Sequence, residues 1–447
     1  MADILCSVGL DIGTTSTQLI FSELTVENRA GSFSVPEMEI GQRKILYKSP
    51  VHFTPLTSTD RVDGEAIRKL IGQEYEAAGI SREAVDTGAV IITGETSRKE
   101  NAETVLRELS GFAGDFVVAT AGPDLESVLA ARGAGAVTYS AETGKTVLHM
   151  DIGGGTANLA LIENGRILRT GCLNVGGRLI KLDPQHRITY LSPVLSGLCG
   201  LHSGSIVTEA DLQPVAELLT RALEEAAGLR ESSSLLPALT TAGTNFHPPV
   251  ESVILSFSGG VADCIDRVLP WDTFGDIGPI LGQCIRRSRL CEHYILGAET
   301  IRATVIGAGC HSAQLSGSTV FHRNIPFPLQ NLPVLSAPAR GLADFLRQEL
   351  PKQETTPVIA LPPGPQDYTF LSALADLLAA SLPDPILLCM EQDMAKALGH
   401  LLALRLPSHR AILCIDRVRL TEGSYLDVGA PIGPALPVVV KTIVFNT

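Results

Sequence analysis

The sequence predicts an α/β protein in which one lobe topology occurs twice and a smaller α/β unit follows. Three observations predict it. Asp-Ile-Gly closes a short apolar strand at Asp11 and again at Asp151, each time followed by small and hydroxyl residues. Each copy opens a meander of three strands that passes into alternating helices and strands. From Phe321 the texture changes to Pro-rich connections between short apolar runs, and these runs alternate with helical patterns.

Residues 4–23 read as two apolar strands around the polar tip Gly13-Thr14-Thr15-Ser16, which makes a hairpin. A third strand is expected near Ile45 to Phe53, then a helix capped by Asp63 with Ile67, Leu70, Ile71 and Tyr75 on one face. A strand at Ala89 to Thr93, a helix at about Lys99 to Ser110, a strand at Phe116 to Ala119 and a helix from Pro123 to Arg132 complete the first copy. Pro123 suits a first helical turn. The pattern restarts with strands at 146–151, 157–162 and 167–173, the last two joined by the hairpin signal Asn164-Gly165.

A capped helix from Thr208 to Ala227, a strand at Val253 to Phe257, a helix over Val261 to Val268 and another beginning near Ala298 follow. The last unit reads as strand Val358 to Leu361, helix Tyr368 to Ala380, strand Ile386 to Met390, helix Met394 to Ala403, strand Ala411 to Ile415 and strand Pro437 to Phe445. The expected division is 1–145 and 146–297 for the two lobes, 298–320 for a connecting helix returning to the first lobe, and 321–447 for the added unit.

Bulk properties narrow the function. At 447 residues the chain is long enough for two or three cores, and 45% apolar with 19% charged residues is the balance of a folded protein. A formal net charge of -13 repels phosphate backbones and argues against a nucleic-acid surface. No 18-residue uncharged apolar run occurs and the N-terminus lacks a basic secretory flank, so the expectation is a cytoplasmic protein with no membrane partner. The nine cysteines are scattered singly, without a CxxC pair, and read as reduced core thiols.

The paired turns carry the chemistry. In Asp11-Ile12-Gly13-Thr14-Thr15 and Asp151-Ile152-Gly153-Gly154-Gly155-Thr156, small residues let backbone N–H groups approach an anion without Cβ interference. Two such loops facing each other can hold a triphosphate. Asp11 and Asp151 would then need a cation beside the phosphates, because like charges about 4 Å apart repel by several kcal/mol at intermediate dielectric. Mg²⁺ suits this place, since it keeps several waters while bridging carboxylates to phosphates. A single Asp-Ile-Gly could be a plain strand-ending turn. Two copies at the same place in the same meander weigh against that.

Other segments carry less specific signals. Ser258-Gly259-Gly260 ends a strand where a flat ring or ribose can approach closely, although any tight strand-to-helix turn uses glycines too. Thr93 and Glu95 follow the fourth strand, and either touch metal or water at the cleft or belong to an ordinary loop. His149 reads as a core histidine, and Arg98 and Lys99 as solvated. Small residues around Arg132 and Gly307 suit two helices packed closely at a hinge.

In this order the segments resemble the nucleotide signature of the actin, Hsp70 and hexokinase superfamily, whose lobes are ribonuclease H-like. The resemblance extends to about residue 315. Over the whole chain the sequence resembles the ethanolamine ammonia-lyase reactivating factors, through SVGLDIGTTSTQ, IITGETS, GDFVVATAGPDLESV, DIGGGTANLAL, CLNVGGRL, ETIRATVIGAG, LSGSTVF and PVVVKTIVF. That likeness implies a Mg²⁺-dependent ATPase acting as a chaperone, which releases damaged cobalamin from the lyase so that intact adenosylcobalamin can enter. It also implies association with a bacterial microcompartment.

By the resemblance Asp11 and Asp151 hold hydrated Mg²⁺, Gly13, Thr14, Thr15, Gly153, Gly154, Gly155 and Thr156 cradle phosphates, and Ser258, Gly259 and Gly260 line the adenosine side. Asp11, Asp151 and Glu95 are the catalytic candidates. One departure stands out. Hsp70-type members carry Glu before a Pro in the first connecting helix, whereas Gly122 precedes Pro123 here, leaving Asp124 or Glu95 to position water. The unit after Phe321 is the expected lyase contact. Two rivals remain at this stage, a small-molecule kinase with Asp263 or Asp183 as base and an actin-like filament protein.

Overall fold

The computed structural model describes residues 3–13, 16–28, 38–58, 61–93, 101, 105, 109, 118–120, 123–241, 253–297, 300–311, 314–316, 319–353, 355–418, 420, 424–429, 431 and 435–442. Among these, two five-strand paths share one order. In the first, the order is Met38–Lys48, Ser16–Asn28, Asp3–Ile12, Thr87–Ile92, Val118–Thr120. In the second it is Arg166–Leu173, Ala157–Glu163, Val147–Ile152, Ile254–Ser258, Tyr294–Leu296. The first three strands of each copy are antiparallel neighbours, and the fourth and fifth run parallel to the first. This is the ribonuclease H-like arrangement, present twice.

Parallel pairing at the centre explains why Val90 to Ile92 and Val147 to Ile152 are buried on both faces rather than alternating. The helix Gly64–Ala78 covers the first sheet through Ile67, Ile71 and Tyr75. Asp63 caps it, its carboxylate accepting from Ala66 N–H at 3.0 Å, and Gly79 ends it in the left-handed region at φ 68°. The second sheet packs on the helix Glu209–Ala226, whose Leu212, Val215, Leu219 and Leu223 join one large core. Asp211 accepts from the Thr208 N–H at 2.8 Å, as the capping pattern requires.

The third sheet has eight strands. Its centre, Leu329–Ser336, Val358–Leu361, Ile386–Met390 and Ile412–Asp416, is parallel. The helices Leu342–Glu349, Tyr368–Ser381 and Ala395–Arg405 bury one face of it. Antiparallel Ser424–Val428 and Pro437–Thr442 extend it at one side.

Several boundaries differ from the expectation. The third strand of the first copy is Met38–Lys48 rather than 45–53, because Pro50 has no N–H to continue a ladder, and only His52–Phe53 pairs again, against Ser16 and Thr17. No helix spans 261–268. A single 3₁₀ turn, Ala262–Cys264, is followed by open chain as far as Pro270, and Val268 is 87% exposed. Most of the helix expected over 99–110, and the start near Ala298, lie outside the described residues; the connecting helix is described over Ala303–His311. Helices Gly278–Arg287 and Leu342–Glu349 were not anticipated.

Two glycines set how closely the connecting helices pack. A Cβ at Gly133, on Pro123–Gly133, would lie 1.8 Å from the Ala303 carbonyl oxygen, and one at Gly307 would lie 2.0 Å from that of Leu129. Backbone therefore rests on backbone where the two lobes join. Gly307→Ala is expected to force these helices apart and to lower stability by about 1–3 kcal/mol, the usual cost of overpacking. Thermal unfolding measures it, and an unchanged midpoint would mean that the helices separate freely.

Candidate functional site

The two acidic turns are built alike. Gly13 N–H donates to the Ser16 carbonyl at 2.9 Å, and Gly153 N–H donates to that of Thr156 at 2.9 Å. The Ile12 carbonyl accepts from Thr93 N–H at 3.1 Å, and that of Ile152 from Val261 N–H at 3.1 Å. Each aspartate also takes a hydroxyl from the neighbouring parallel strand or its end. Thr93 Oγ1 donates to Asp11 Oδ1 at 2.8 Å, and Ser258 Oγ donates to Asp151 Oδ1. The repeat noticed in sequence is thus a repeat of hydrogen bonding.

The turns are braced from outside. Thr54 Oγ1 donates to the Gly13 carbonyl at 2.8 Å. Gly177 N–H donates to the Gly153 carbonyl at 3.0 Å and Arg178 N–H to that of Gly154 at 2.6 Å, so part of the CLNVGGRL segment lies against the second turn. Arg178 in turn pairs with Asp276 at 3.2 Å. Gly259 holds φ 89°, and a Cβ there would lie 2.3 Å from the Ile152 carbonyl oxygen, so only glycine fits beside the second turn.

Electrostatics identify a third acid. Burial, opposed by the Thr93 hydrogen bond and aided by the charges of Glu126 and Asp151, lifts the Asp11 carboxyl to about 7. Burial also raises Asp151, opposed by its bonds from Ser258 and, at 3.4 Å, Thr304. Glu126 is buried on the helix Pro123–Gly133, and Asn158 Nδ2 donates to its Oε2 at 2.7 Å. Asn158 stands directly across the strand pair from Asp151. Three carboxylates therefore share one buried neighbourhood, which is costly unless a cation joins them.

Among the described residues no three His, Cys, Asp or Glu side chains converge to ligate a metal directly, so the donor set suits only a cation held through water, as hydrated Mg²⁺ would be. The set is oxygen only, from three carboxylates and the hydroxyls of Thr93 and Thr304. Among the described residues the buried Asn158 Oδ1 has no hydrogen-bond partner, and it could accept from a metal-bound water. Among the described residues, chain neighbours aside, no atom lies within 4 Å of where a Cβ at Gly155 or Gly260 would stand, which suits an anion or a ribose against the backbone.

Of the residues singled out by sequence, Asp11, Gly13, Asp151, Gly153, Gly154, Gly155, Thr156, Ser258, Gly259 and Gly260 belong to these turns or the strand end beside them. Ser258 spends its hydroxyl on Asp151 and is fully buried. Thr14, Thr15, Glu95, Arg98, Lys99 and Gly122, and the side chain of Asp124, lie outside the described residues. His149 is a core residue as expected, and burial holds its imidazole down to about 3. Asp183 is occupied in its own turn, accepting from Gln185 and Arg187 N–H at 2.9 Å each, and Asp263 accepts from Thr300 Oγ1. Glu126, Asn158 and Thr304 were missed.

The match to known proteins is decisive for family. A family model described as "Ethanolamine utilisation protein EutA" matches residues 3–446. The chain belongs to the EutA family. This EutA-family chain is 40% identical to the ethanolamine ammonia-lyase reactivase EutA of Salmonella typhimurium, over 99% of this chain and 98% of that protein. It is also 40% identical to the protein of the same description from Escherichia coli, over 99% and 98%. Among solved structures it is similar to a Ppx/GppA family member from Aquifex aeolicus, at 16% identity and a TM-score of 0.40, over 68% of this chain and 97% of that one. Among the described residues, no helix of this EutA-family chain is long and apolar enough to cross a membrane.

Proposed function

We propose that this chain is an ATP-dependent reactivating chaperone for ethanolamine ammonia-lyase, acting on enzyme whose cobalamin is damaged and promoting its exchange for intact adenosylcobalamin. Membership of the EutA family supports the partner. The observation that carries the chemistry is the grouping of half-buried Asp11 with buried Asp151 and Glu126 beside two matched turns. In this reading Asp11 and Asp151 hold hydrated Mg²⁺ through water, and the ion supplies charge neutralisation to the phosphates.

Gly13, Thr14, Thr15, Gly153, Gly154, Gly155 and Thr156 present the phosphate cradle, and Gly259 and Gly260 receive adenosine. Ser258 serves by orienting Asp151. Glu126, with Asn158 holding one of its oxygens, orients the attacking water in the role expected of Asp124 or Glu95. Closure of the lobes on the connecting helices changes the contact with the lyase, and nucleotide drives this only by binding one arrangement better than the other. The eight-stranded C-terminal unit is the candidate contact surface. Cytoplasm, in association with a bacterial microcompartment, is the setting this reading implies.

The test combines lyase poisoned with an inert cobalamin, this protein, ATP, Mg²⁺ and fresh adenosylcobalamin, with deamination followed over time. Turnover is expected to return only in the complete mixture. Recovery without ATP would defeat the reading, and so would a phosphorylated small-molecule product.

A further inference from the structure

The second acidic turn contains a buried chain of hydrogen bonds with no counterpart at the first turn among the described residues. His149 lies two residues before Asp151 on the strand Val147–Ile152, so both side chains leave the same face. On the neighbouring parallel strand, Ser256 stands opposite His149 and Ser258 opposite Asp151. His149 Nδ1 is 2.9 Å from Ser256 Oγ, its Nε2 is 3.0 Å from Ser258 Oγ, and Ser258 Oγ is bonded to Asp151 Oδ1. His149, Ser256 and Ser258 are essentially without solvent exposure.

Counting protons orients the chain. Ser258 Oγ donates its single hydroxyl proton to Asp151 Oδ1. Ser258 Oγ must then accept from a proton on His149 Nε2. Nδ1 is left unprotonated and accepts from the Ser256 hydroxyl. Every donor in the row meets an acceptor, with Ser258 and His149 each donating once and accepting once.

The first turn is built differently. Its residue two before Asp11 is Gly9, where a Cβ would lie 2.6 Å from the Val305 carbonyl oxygen of the connecting helix. Among the described residues, Asp11 receives the Thr93 hydroxyl with no histidine behind it. The duplicated turns thus differ in how firmly their carboxylates are set.

We propose that His149 is a positioning residue which, through Ser258, fixes the carboxylate of Asp151 with Oδ1 anchored inside its own lobe and Oδ2 turned to Thr304 and the cleft. This rests on the proposed Mg²⁺ and ATP site. His149 touches neither ligand; it sets the group that does. Partners one step behind a metal-holding residue typically change metal affinity by about 10- to 100-fold when removed.

Calorimetry on the full-length chain tests this with His149→Phe, His149→Gln and Ser256→Ala, each titrated with ATP plus Mg²⁺ and with ATP plus chelator. His149→Phe is expected to weaken the Mg²⁺-dependent affinity by about tenfold while metal-free ATP binding changes little. His149→Gln, which keeps a donor for Ser258, is expected to recover most of the loss. Equal losses with and without metal, or no loss, would overturn the proposal. Should His149→Phe fail to fold, Ser256→Ala frees the imidazole without touching Asp151 and must show the same metal-dependent loss.

A second measurement needs no nucleotide. Nitrogen-15 spectra of the imidazole in the wild-type protein are expected to show the proton on Nε2, and a proton on Nδ1 would overturn the assignment. If wild-type protein gives no heat with ATP and Mg²⁺, the proposed function fails, while the tautomer still decides the positioning role.

Discussion

Replacing Asp11 with Asn is expected to make the nucleotide-free protein more stable above pH 7 and to abolish its Mg²⁺-dependent ATP binding. The two effects have one cause. Burial and the neighbouring charges of Glu126 and Asp151 lift the Asp11 carboxyl to about 7 from an ordinary value of 3.8. Between those limits the unfolded chain has lost this proton while the folded chain keeps it. Stability therefore falls as pH rises from about 4 to about 7, and the penalty is complete above 7.

The amide carries no charge and escapes that penalty. Its gain in stability at pH 8 is of the order of 2 kcal/mol, after discounting the full shift for residual solvent screening. Thermal unfolding of the wild type and Asp11→Asn at pH 5 and pH 8, without metal, measures it. The two proteins should differ little at pH 5 and clearly at pH 8. Binding moves the other way, because an amide offers a cation neither charge nor a strong outer-sphere acceptor, and affinity for ATP with Mg²⁺ should fall at least 100-fold. An Asn variant that binds normally would mean that Asp11 only closes the turn.

How much of this was legible in sequence depends on whether the feature is local. Asp-Ile-Gly at positions 11 and 151 could be read because strand, turn and hydroxyls are contiguous, and the matched bonds Gly13 to Ser16 and Gly153 to Thr156 span three residues. The close helices could be read from small residues alone, since the contact at Gly133 and Gly307 is backbone on backbone. Thr304 could not, because its contact with Asp151 joins segments 153 residues apart.

Other misses have local causes. Gly278 and Pro279 look like a loop, yet Pro at the start of a helix costs nothing, and Ile280, Leu281, Cys284 and Ile285 then recur at helical spacing and are buried. The apolar rhythm of Val261 to Val268 suggested a helix that Pro270 curtails. Asp11 itself was found, but its protonation was not, because that depends on acids brought in by the fold. Composition records that the charges exist, and only packing records which of them share a cleft.

Glu126→Gln is expected to bind ATP with Mg²⁺ almost as well as the wild type and to hydrolyse it at least 100-fold more slowly, the usual range for loss of a general base. The sequence pointed to the position before Pro123, where Gly122 offers no acid. Residue 126 is four positions further along the sequence, on the helix Pro123–Gly133. Asn158 Nδ2 fixes one carboxylate oxygen of Glu126, and Asn158 is cross-strand from Asp151, which ties the acid to the second turn. Glutamine keeps the size and can still accept on its carbonyl oxygen, so binding survives, but it cannot take a proton from water. Single-turnover hydrolysis beside equilibrium binding separates the two effects. A parallel fall in both would assign Glu126 to cation holding, and an unaltered hydrolysis rate would return the water to Glu95.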